Sequence, residues 1–208
     1  MRRDELMRAG MMLFSAKGYH NTKVSDIVQE AGVAQGTFYL YFDSKADLFS
    51  ALLDEFIALI TEAVSRVTID INTIKTPVQF AARIRVAVET VLAVYRDNAA
   101  LARIVIREGS GLDAELTDRW QQTIDRLAEI GAVVMDEGIE RGLIPPQNTK
   151  IVPYCVLGMY ERVAYRWLVE DQSMDIDELA EALTRYEILG ISGVASPEME
   201  AAITGELR

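Results

Sequence analysis

Cysteine and histidine are nearly absent from this sequence, with one residue of each among 208. A single cysteine cannot form an internal disulfide, and one cysteine with one histidine is too little for a soft-metal site. Val156 and Leu157 follow Cys155, and this setting favours a buried thiol over a redox sensor, because no second cysteine exists to resolve an oxidised form. We therefore expect neither a metal nor another cofactor.

Long apolar runs are also missing, although apolar residues make up 50% of the chain. A membrane-spanning helix needs about 18 or more apolar residues in a row, so none is expected. The charged start MRRDELMRAG is unlike the apolar segment of a secretion signal. These absences predict a cytoplasmic protein that contacts no membrane.

Motifs for catalysis are lacking too. The sequence has no glycine-rich phosphate loop and no Ser-His or Cys-His arrangement. The glycines of GSGLD (109–113) follow a predicted helix instead of opening a strand-to-helix turn, so an interhelical loop is the better interpretation. We do not expect an enzyme, and a helical enzyme stays only as an alternative.

Helical periodicity runs along almost the whole chain, and two-residue alternation is almost absent, which predicts an all-α fold. Thr76 followed by Pro77 is typical of a helix start, whereas Gly18 and Gly142 are typical of helix ends. Helices are expected over about residues 3–17, 45–66, 77–95, 99–108, 113–141, 149–170 and 175–190, with a short one after Ser196.

The segment TKVSDIVQEAGVAQGTFYLYFDSK, residues 22–45, predicts a helix-turn-helix. Thr22 is expected to cap the first of its two short helices through its hydroxyl. Gly32 supplies the positive φ that a tight turn between helices requires. On the second helix Phe38 and Phe42 are expected to point inward, which leaves a small, polar, tyrosine-rich face outside.

The pieces LFSAKGYHNTKVSDIVQEAGV and GTFYLYFDSKADLF, in this order and without gaps, resemble the DNA-binding domain of the TetR family of bacterial transcription regulators. The resemblance implies a DNA-binding domain over 1–47 and a helical ligand-binding and dimerisation domain over 48–208, bridged by the fourth helix. It implies a homodimer, formed through the helices near 149–170 and 175–190, on a palindromic double-stranded operator. It also implies a repressor that a small-molecule effector releases from DNA. A DNA-binding regulator without an effector is the alternative.

The net charge of −11 at first argues against nucleic-acid binding, but the charge is unevenly distributed. Residues 1–47 hold six basic and six acidic side chains, and the remainder holds 15 basic and 26 acidic ones. A neutral DNA-binding domain on an acidic body should bind DNA weakly by itself. Two such domains on one dimer would be needed for useful affinity.

Candidate DNA contacts follow from side-chain chemistry and from the matching positions of the resembling family. Gln35 and Thr37 are expected at base edges, because glutamine pairs with adenine and the threonine methyl packs on thymine. Gly36 would permit a close approach to the groove. The remaining candidates, for phosphate or sugar, are Thr22, Lys23, Tyr39, Tyr41 and Lys45, with Ser25 as a weaker one.

Half of the candidate residues for a ligand pocket are aromatic, and the full set is Tyr95, Arg103, Arg107, Trp120, Ile124, Tyr160, Val163 and Trp167. Arg103 and Arg107 lie four apart and share a helix face. Buried, they could hold a carboxylate or phosphate, and exposed they would pair with acids such as Glu108. An anionic acyl ligand and a cationic aromatic one both remain open, with a preference for an apolar or acidic ligand.

Overall fold

A computed structural model describes residues 2–68, 73–108 and 114–192 of the chain. These residues form nine α-helices and no strand, so the predicted all-α fold is confirmed. The predicted short helix after Ser196 lies outside the described residues. The helices are α1 (Arg2–Lys17), α2 (Val24–Glu30), α3 (Gln35–Tyr39), α4 (Lys45–Thr68), α5 (Pro77–Asp97), α6 (Ala99–Glu108), α7 (Ala114–Glu140), α8 (Val152–Tyr165) and α9 (Ile176–Ser192), and α8 continues in a wider π-type turn over Arg166–Glu170.

Most helix ends lie where local sequence signals predict them. The Thr76 hydroxyl accepts the Gln79 backbone N–H at 3.2 Å and caps α5, with Pro77 in the first turn. Gly18, Gly32 and Gly142 have positive φ values of 84°, 65° and 68°. Each residue follows a helix, where a side chain would add strain.

The predicted cap of α2 is wrong. Thr22 is buried and its hydroxyl donates to the Gly18 carbonyl at 2.8 Å, so it belongs to the turn after α1. The residue before α2 is Lys23, whose backbone N–H donates to the Asp26 carboxylate at 3.0 Å. The Asp26 carboxylate in the first turn thus accepts the N–H of the residue that precedes the helix, and its negative charge is favourable at a helix start.

The N-terminal three-helix unit packs on the first turns of α4. Phe14 of α1, Ile27 of α2 and Phe38 of α3 are fully buried together with Leu48 and Phe49 of α4. Full burial of one such side chain contributes roughly 1.5–3 kcal/mol of transfer free energy. These few residues therefore fix the relative positions of three short helices that would not be stable alone.

The apolar side of α4 continues without interruption into the C-terminal helices. Leu52, Leu53 and Phe56 are buried in the same cluster as Val88 of α5 and Ile104 of α6. The N-terminal unit and the helical body therefore share one core. The division of the chain at residue 47 stays a prediction, and α4 crosses that position.

The two last long helices divide their apolar residues between two faces. Leu179 and Leu183 of α9 are buried, whereas Tyr186 and Leu189 are 71% and 52% exposed. Cys155 on α8 is exposed as well, so the predicted buried thiol is wrong for the single chain. Helical periodicity identifies the apolar residues but does not say which neighbour covers them.

None of the helices in the described ranges is long and apolar enough to cross a bilayer.

Close contact between α1 and α4 depends on Gly10. A Cβ atom at this position would lie 2.5 Å from Cδ2 of the fully buried Leu48. We expect Gly10→Val to destabilise the protein by roughly 1–3 kcal/mol, because the packed side chain cannot move away. Urea unfolding measures this. Gly36→Val is the matched control, since a Cβ there meets nothing within 4 Å, and equal stability of the two variants would contradict the packing described.

Candidate DNA-reading surface and ligand cavity

The outer side of α3 and the turn after it present the predicted DNA-contacting side chains to solvent. Phe38 and Phe42 are buried beneath, with ring centroids 5.7 Å apart. Tyr39 and Tyr41 are 52% and 43% exposed. The DNA-reading surface defined here consists of Gln35, Gly36, Thr37, Tyr39, Leu40 and Tyr41, which are exposed except for the half-buried Thr37.

Leu40 is a member of this surface that sequence reasoning missed. It is 79% exposed, the largest value among the exposed large apolar side chains of the described residues. The available signal is its position midway between the inward residues Phe38 and Phe42, about 200° around a helix from either. An apolar side chain so exposed beside two tyrosines suits the methyl group of a thymine.

The predicted contacts at the start of α2 are only partly available to a partner. Lys23 and Ser25 are exposed. Thr22 is 1% exposed and its hydroxyl donates to the Gly18 carbonyl, so its side chain is not directed to solvent. A phosphate contact at Thr22 through the backbone at the helix start stays a prediction. Lys17 pairs with Asp26 at 2.6 Å across the turn, which neutralises one of the few cations of the N-terminal unit.

Lys45 faces inward. Its ammonium donates to the backbone carbonyls of Tyr19 and Thr22 at 2.7 Å each, and it lies 4.1 Å from the centroid of the Tyr19 ring. Partial burial lowers the pKa of this ammonium from its ordinary value. The residue was predicted as a phosphate contact, but two of its three N–H groups hold the turn between α1 and α2 on the start of α4.

A cavity of about 200 Å³ lies between α4, α5, α7, α8 and α9. Four of the eight predicted ligand residues line it together: Tyr95, Trp120, Ile124 and Tyr160. Two acids that sequence reasoning missed, Glu161 and Glu187, line it as well. Their signal was weak, because acids on amphipathic helices usually face water.

The other four predicted ligand residues lie elsewhere. Arg103 donates to the Ala99 carbonyl at 3.3 Å, and Arg107 donates to the Phe14 carbonyl at 3.1 Å near the end of α1. Val163 lines an outer groove between α8 and α9, and Trp167 is buried in the main core. None of these four lines this cavity, because equal helical spacing is compatible with several neighbours, and their part in ligand binding stays a prediction.

A polar contact in the cavity wall joins α8 to α9. The Tyr160 hydroxyl donates to Oε2 of Glu187 at 3.0 Å. Burial raises the pKa of the Glu187 carboxyl to about 7 against the opposing effect of that hydrogen bond. Burial and then the negative charge of Glu187 raise the pKa of Tyr160 above its ordinary value, and burial with the charge of Glu161 does the same at Tyr95.

Contacts lead from the cavity wall to the helix that carries the N-terminal unit. Trp120 of α7 lines the cavity, and its neighbour Arg119 contacts the Ser50 hydroxyl and the Asp54 carboxylate on α4. A shift of α7 would therefore change these contacts with α4. Among the described residues no group of three or more histidine, cysteine, aspartate or glutamate side chains is arranged to hold a metal ion.

Two family models match this chain. One, described as bacterial regulatory proteins of the tetR family, matches residues 6–52. The other, described as a tetracyclin repressor-like C-terminal domain, matches residues 78–191.

Curated relatives and solved structures cover most of the chain. An uncharacterised helix-turn-helix-type transcriptional regulator of Bacillus subtilis, YdgC, is 34% identical over 80% of this chain and 81% of its own. The fatty acid metabolism regulator protein of Bacillus subtilis is 24% identical over 90% of this chain and 94% of its own. The crystal structure of the regulator FadR from Bacillus subtilis with stearoyl-CoA aligns with a TM-score of 0.74 at 23% identity, covering 90% and 98% of the two chains.

The contacts of Lys45 predict a stability role that Lys23 does not share. We expect Lys45→Met to destabilise the free protein by about 1–3 kcal/mol, because the carbonyls of Tyr19 and Thr22 lose their partner. Lys23→Met, at an exposed position, should change the free energy of unfolding by less than about 0.5 kcal/mol. Urea unfolding without DNA compares the two, and a wild-type value for Lys45→Met would show that the ammonium does not hold the turn.

Proposed function

The chain belongs to the TetR family of bacterial regulatory proteins, and from that premise we propose that it is a dimeric repressor released from a palindromic operator by a small molecule. The matched relatives are transcriptional regulators, and this chain is a DNA-binding regulator and not an enzyme. Its place of action is then the cytoplasm, where the operator is. The observation that carries the proposal is a polar, tyrosine-rich α3 surface held over two buried phenylalanines.

In the proposed complex the DNA-reading surface enters the major groove. Gln35 and Thr37 read base edges, Leu40 packs on a thymine methyl group, and the hydroxyls of Tyr39 and Tyr41 bind phosphates. Gly36 allows α3 to approach closely, since no side chain separates its backbone from the groove. Lys23 and Ser25 contact phosphate at the start of α2.

The proposed dimer forms through the outer faces of α8 and α9. The groove between these helices is lined mainly by apolar side chains, including Met159 and Val163, and is flanked by the exposed Tyr186 and Leu189. Water-exposed apolar area of this kind favours association. A twofold axis there would place two DNA-binding units, each without net charge and each weakly binding, on one palindrome.

Effector control would run from the cavity to the DNA-binding units through α4 and α6. A ligand against Trp120 displaces α7, and Arg119 transmits the displacement to Ser50 and Asp54 of α4. Arg107 of α6 contacts the last turn of α1. A ligand that fits one arrangement of these helices better than the other shifts the population between them. The alternative, a regulator without an effector, does not account for an aromatic cavity beside the helix that carries the DNA-binding unit.

The test of the proposal is selection of binding sites from a random DNA library, followed by affinity measurements at two salt concentrations. We expect a palindromic site, a Kd near the nanomolar range and a strong loss of affinity with salt. Binding to random DNA as tight as to the selected site would contradict the proposal.

Variants of the DNA-reading surface separate base recognition from general affinity. We expect Tyr39→Ala to weaken binding to all DNA by roughly tenfold, because it removes a phosphate contact, without changing the free energy of unfolding. Gln35→Ala should lower the preference for the selected site over single-base variants by about 1–3 kcal/mol at one position. Tyr154→Ala, at a tyrosine of the body that is 44% exposed, is the control, and the same loss there would contradict this assignment.

Charges on the outer face of α9 test the dimer. The double variant Tyr186→Asp with Leu189→Asp should be a monomer in analytical ultracentrifugation, because a twofold interface would bring four carboxylates together. Its operator affinity should fall by at least about tenfold, since only one half-site is bound. Val78→Asp on α5, where the valine is 78% exposed, should remain dimeric. A dimeric double variant would refute this interface.

A further inference from the structure

The side chains around the cavity have only one sign of charge. Its titratable lining groups are two carboxyls, Glu161 and Glu187, and two phenols, Tyr95 and Tyr160. No lysine, arginine or histidine of the described residues lines it. The rest of the wall is apolar and runs from Ile60 and Val64 on α4 to Met135 on α7.

Glu187 is half-buried and lines both the cavity and the outer groove between α8 and α9. Its carboxylate accepts a hydrogen bond from the Tyr160 hydroxyl, and burial raises the pKa of its carboxyl to about 7. A buried carboxylate without a cationic partner is costly, so an incoming positive charge would relieve the desolvation penalty. Glu187 also lines the outer groove beneath Tyr186, and covering that groove would isolate it further from water.

Aromatic rings border the same space. Tyr95 and Tyr160 lie on the α5 and α8 sides of the cavity, and Trp120 lies on the α7 side. The faces of such rings attract alkylammonium and quaternary ammonium groups, and indole attracts them most. The cavity thus combines the two features that a buried organic cation requires.

A groove beside the cavity carries acids as well. It lies between α7 and α8 and shares Trp120, Ile124 and Glu161 with the cavity. Glu161 is exposed there, and on the same side Asp125 accepts a hydrogen bond from the Tyr154 hydroxyl at 2.9 Å. A ligand with an anionic head group, such as a phosphate-bearing acyl thioester, would meet like charge along this path.

We propose that the effector is an apolar molecule with one positive charge, an alkylamine or quaternary ammonium compound, whose cation lies between Glu187 and the rings of Trp120 and Tyr160. This inference rests on the proposed function, because it names the chemistry of that effector. It departs from the fatty-acyl chemistry that the names of two relatives indicate, and it replaces the preference for an apolar or acidic ligand, which assumed no acids inside the apolar wall.

Binding of such a cation is linked to protonation of Glu187. Tyr160 of α8 donates to this carboxyl, and the other titratable groups that line the same cavity are Glu161 of α8 and Tyr95 of α5. The charged residues Arg85 and Glu89 of α5 pair with each other at 2.8 Å, and Arg85 is drawn toward Asp177 and Glu181 at the beginning of α9. A quaternary ammonium keeps its charge at every pH, so its affinity should rise as the carboxyl loses its proton and level off above about pH 7.

Four probes whose hydrocarbon chains have the same length test the proposal. They are decyltrimethylammonium, decanol, decanoate and decanoyl-CoA, all used below their micellar concentrations. Isothermal titration calorimetry on the full-length protein gives each Kd at about pH 6 and about pH 8. We expect the ammonium to bind roughly ten- to a hundredfold more tightly than decanol, and decanoate and decanoyl-CoA to bind more weakly than decanol. The ammonium alone should bind more tightly at the higher pH.

Glu187→Gln keeps the shape of the side chain and an oxygen for Tyr160. It should remove most of the advantage of the ammonium over decanol, abolish the pH dependence, and leave the affinity for decanol unchanged. Glu161→Gln should weaken the ammonium less, because this residue is exposed. Glu178→Gln, at an exposed glutamate of the same helix, is the matched control and should behave as the wild type.

Three results would overturn the inference: tighter binding of decanoyl-CoA than of the ammonium, ammonium binding that Glu187→Gln does not alter, or no binding of any probe. The same preparation is titrated with its selected DNA site, with and without the ammonium. Specific DNA binding without any effect of the ammonium refutes the ligand class and leaves the regulator intact. Absence of specific DNA binding refutes the proposed function whatever the probes do.

Discussion

The uninterrupted apolar side of α4 is the constraint on which the rest of this structure depends. The helix has 24 residues, which corresponds to about 36 Å. Leu48 and Phe49 hold the three short N-terminal helices at one end, and Phe56 packs against Tyr95 of the body with ring centroids 5.5 Å apart. Because one helix packs against both the N-terminal unit and the body, the proposed effector control depends on this element.

Polar contacts around α4 determine how such a movement would be transmitted. Lys45 binds the turn that precedes α2, and Arg119 joins the middle of α4 to the cavity helix α7. Arg107 connects α6 to the last turn of α1. Three cations that would otherwise be available to phosphate or to a ligand are thus used to connect helices.

Several cations of the DNA-binding end are likewise engaged in contacts within the protein. Arg2 pairs with Glu5 at 2.9 Å, and Lys17 pairs with Asp26. With Lys45 turned inward, few cations are left for phosphate, so in the proposed complex tyrosine hydroxyls and backbone groups supply much of the positioning. The salt-dependent part of the affinity then comes from the remaining cations, and in the proposed dimer two copies of the surface add their contributions.

The sequence by itself determined the features that depend on neighbours along the chain. Gly18, Gly32 and Gly142 end helices because positive φ is a local requirement, and the spacing of Phe38 and Phe42 defines the hidden side of α3. The all-α class, nearly every helix boundary and the exposed tyrosines follow from such local rules.

Tertiary structure alone decided where side chains with several possible partners are directed. Thr22 does not cap α2, because its hydroxyl donates to the Gly18 carbonyl. Arg103 and Arg107 do not line the cavity, because their guanidinium groups donate to carbonyls of α6 and α1. Glu161 and Glu187 look like ordinary surface acids in the sequence, and only the packing of α8 and α9 against α5 and α7 brings them to one cavity. Long side chains can contact several partners that are distant in the sequence. Only the packing of the helices determines which of those partners lies within reach.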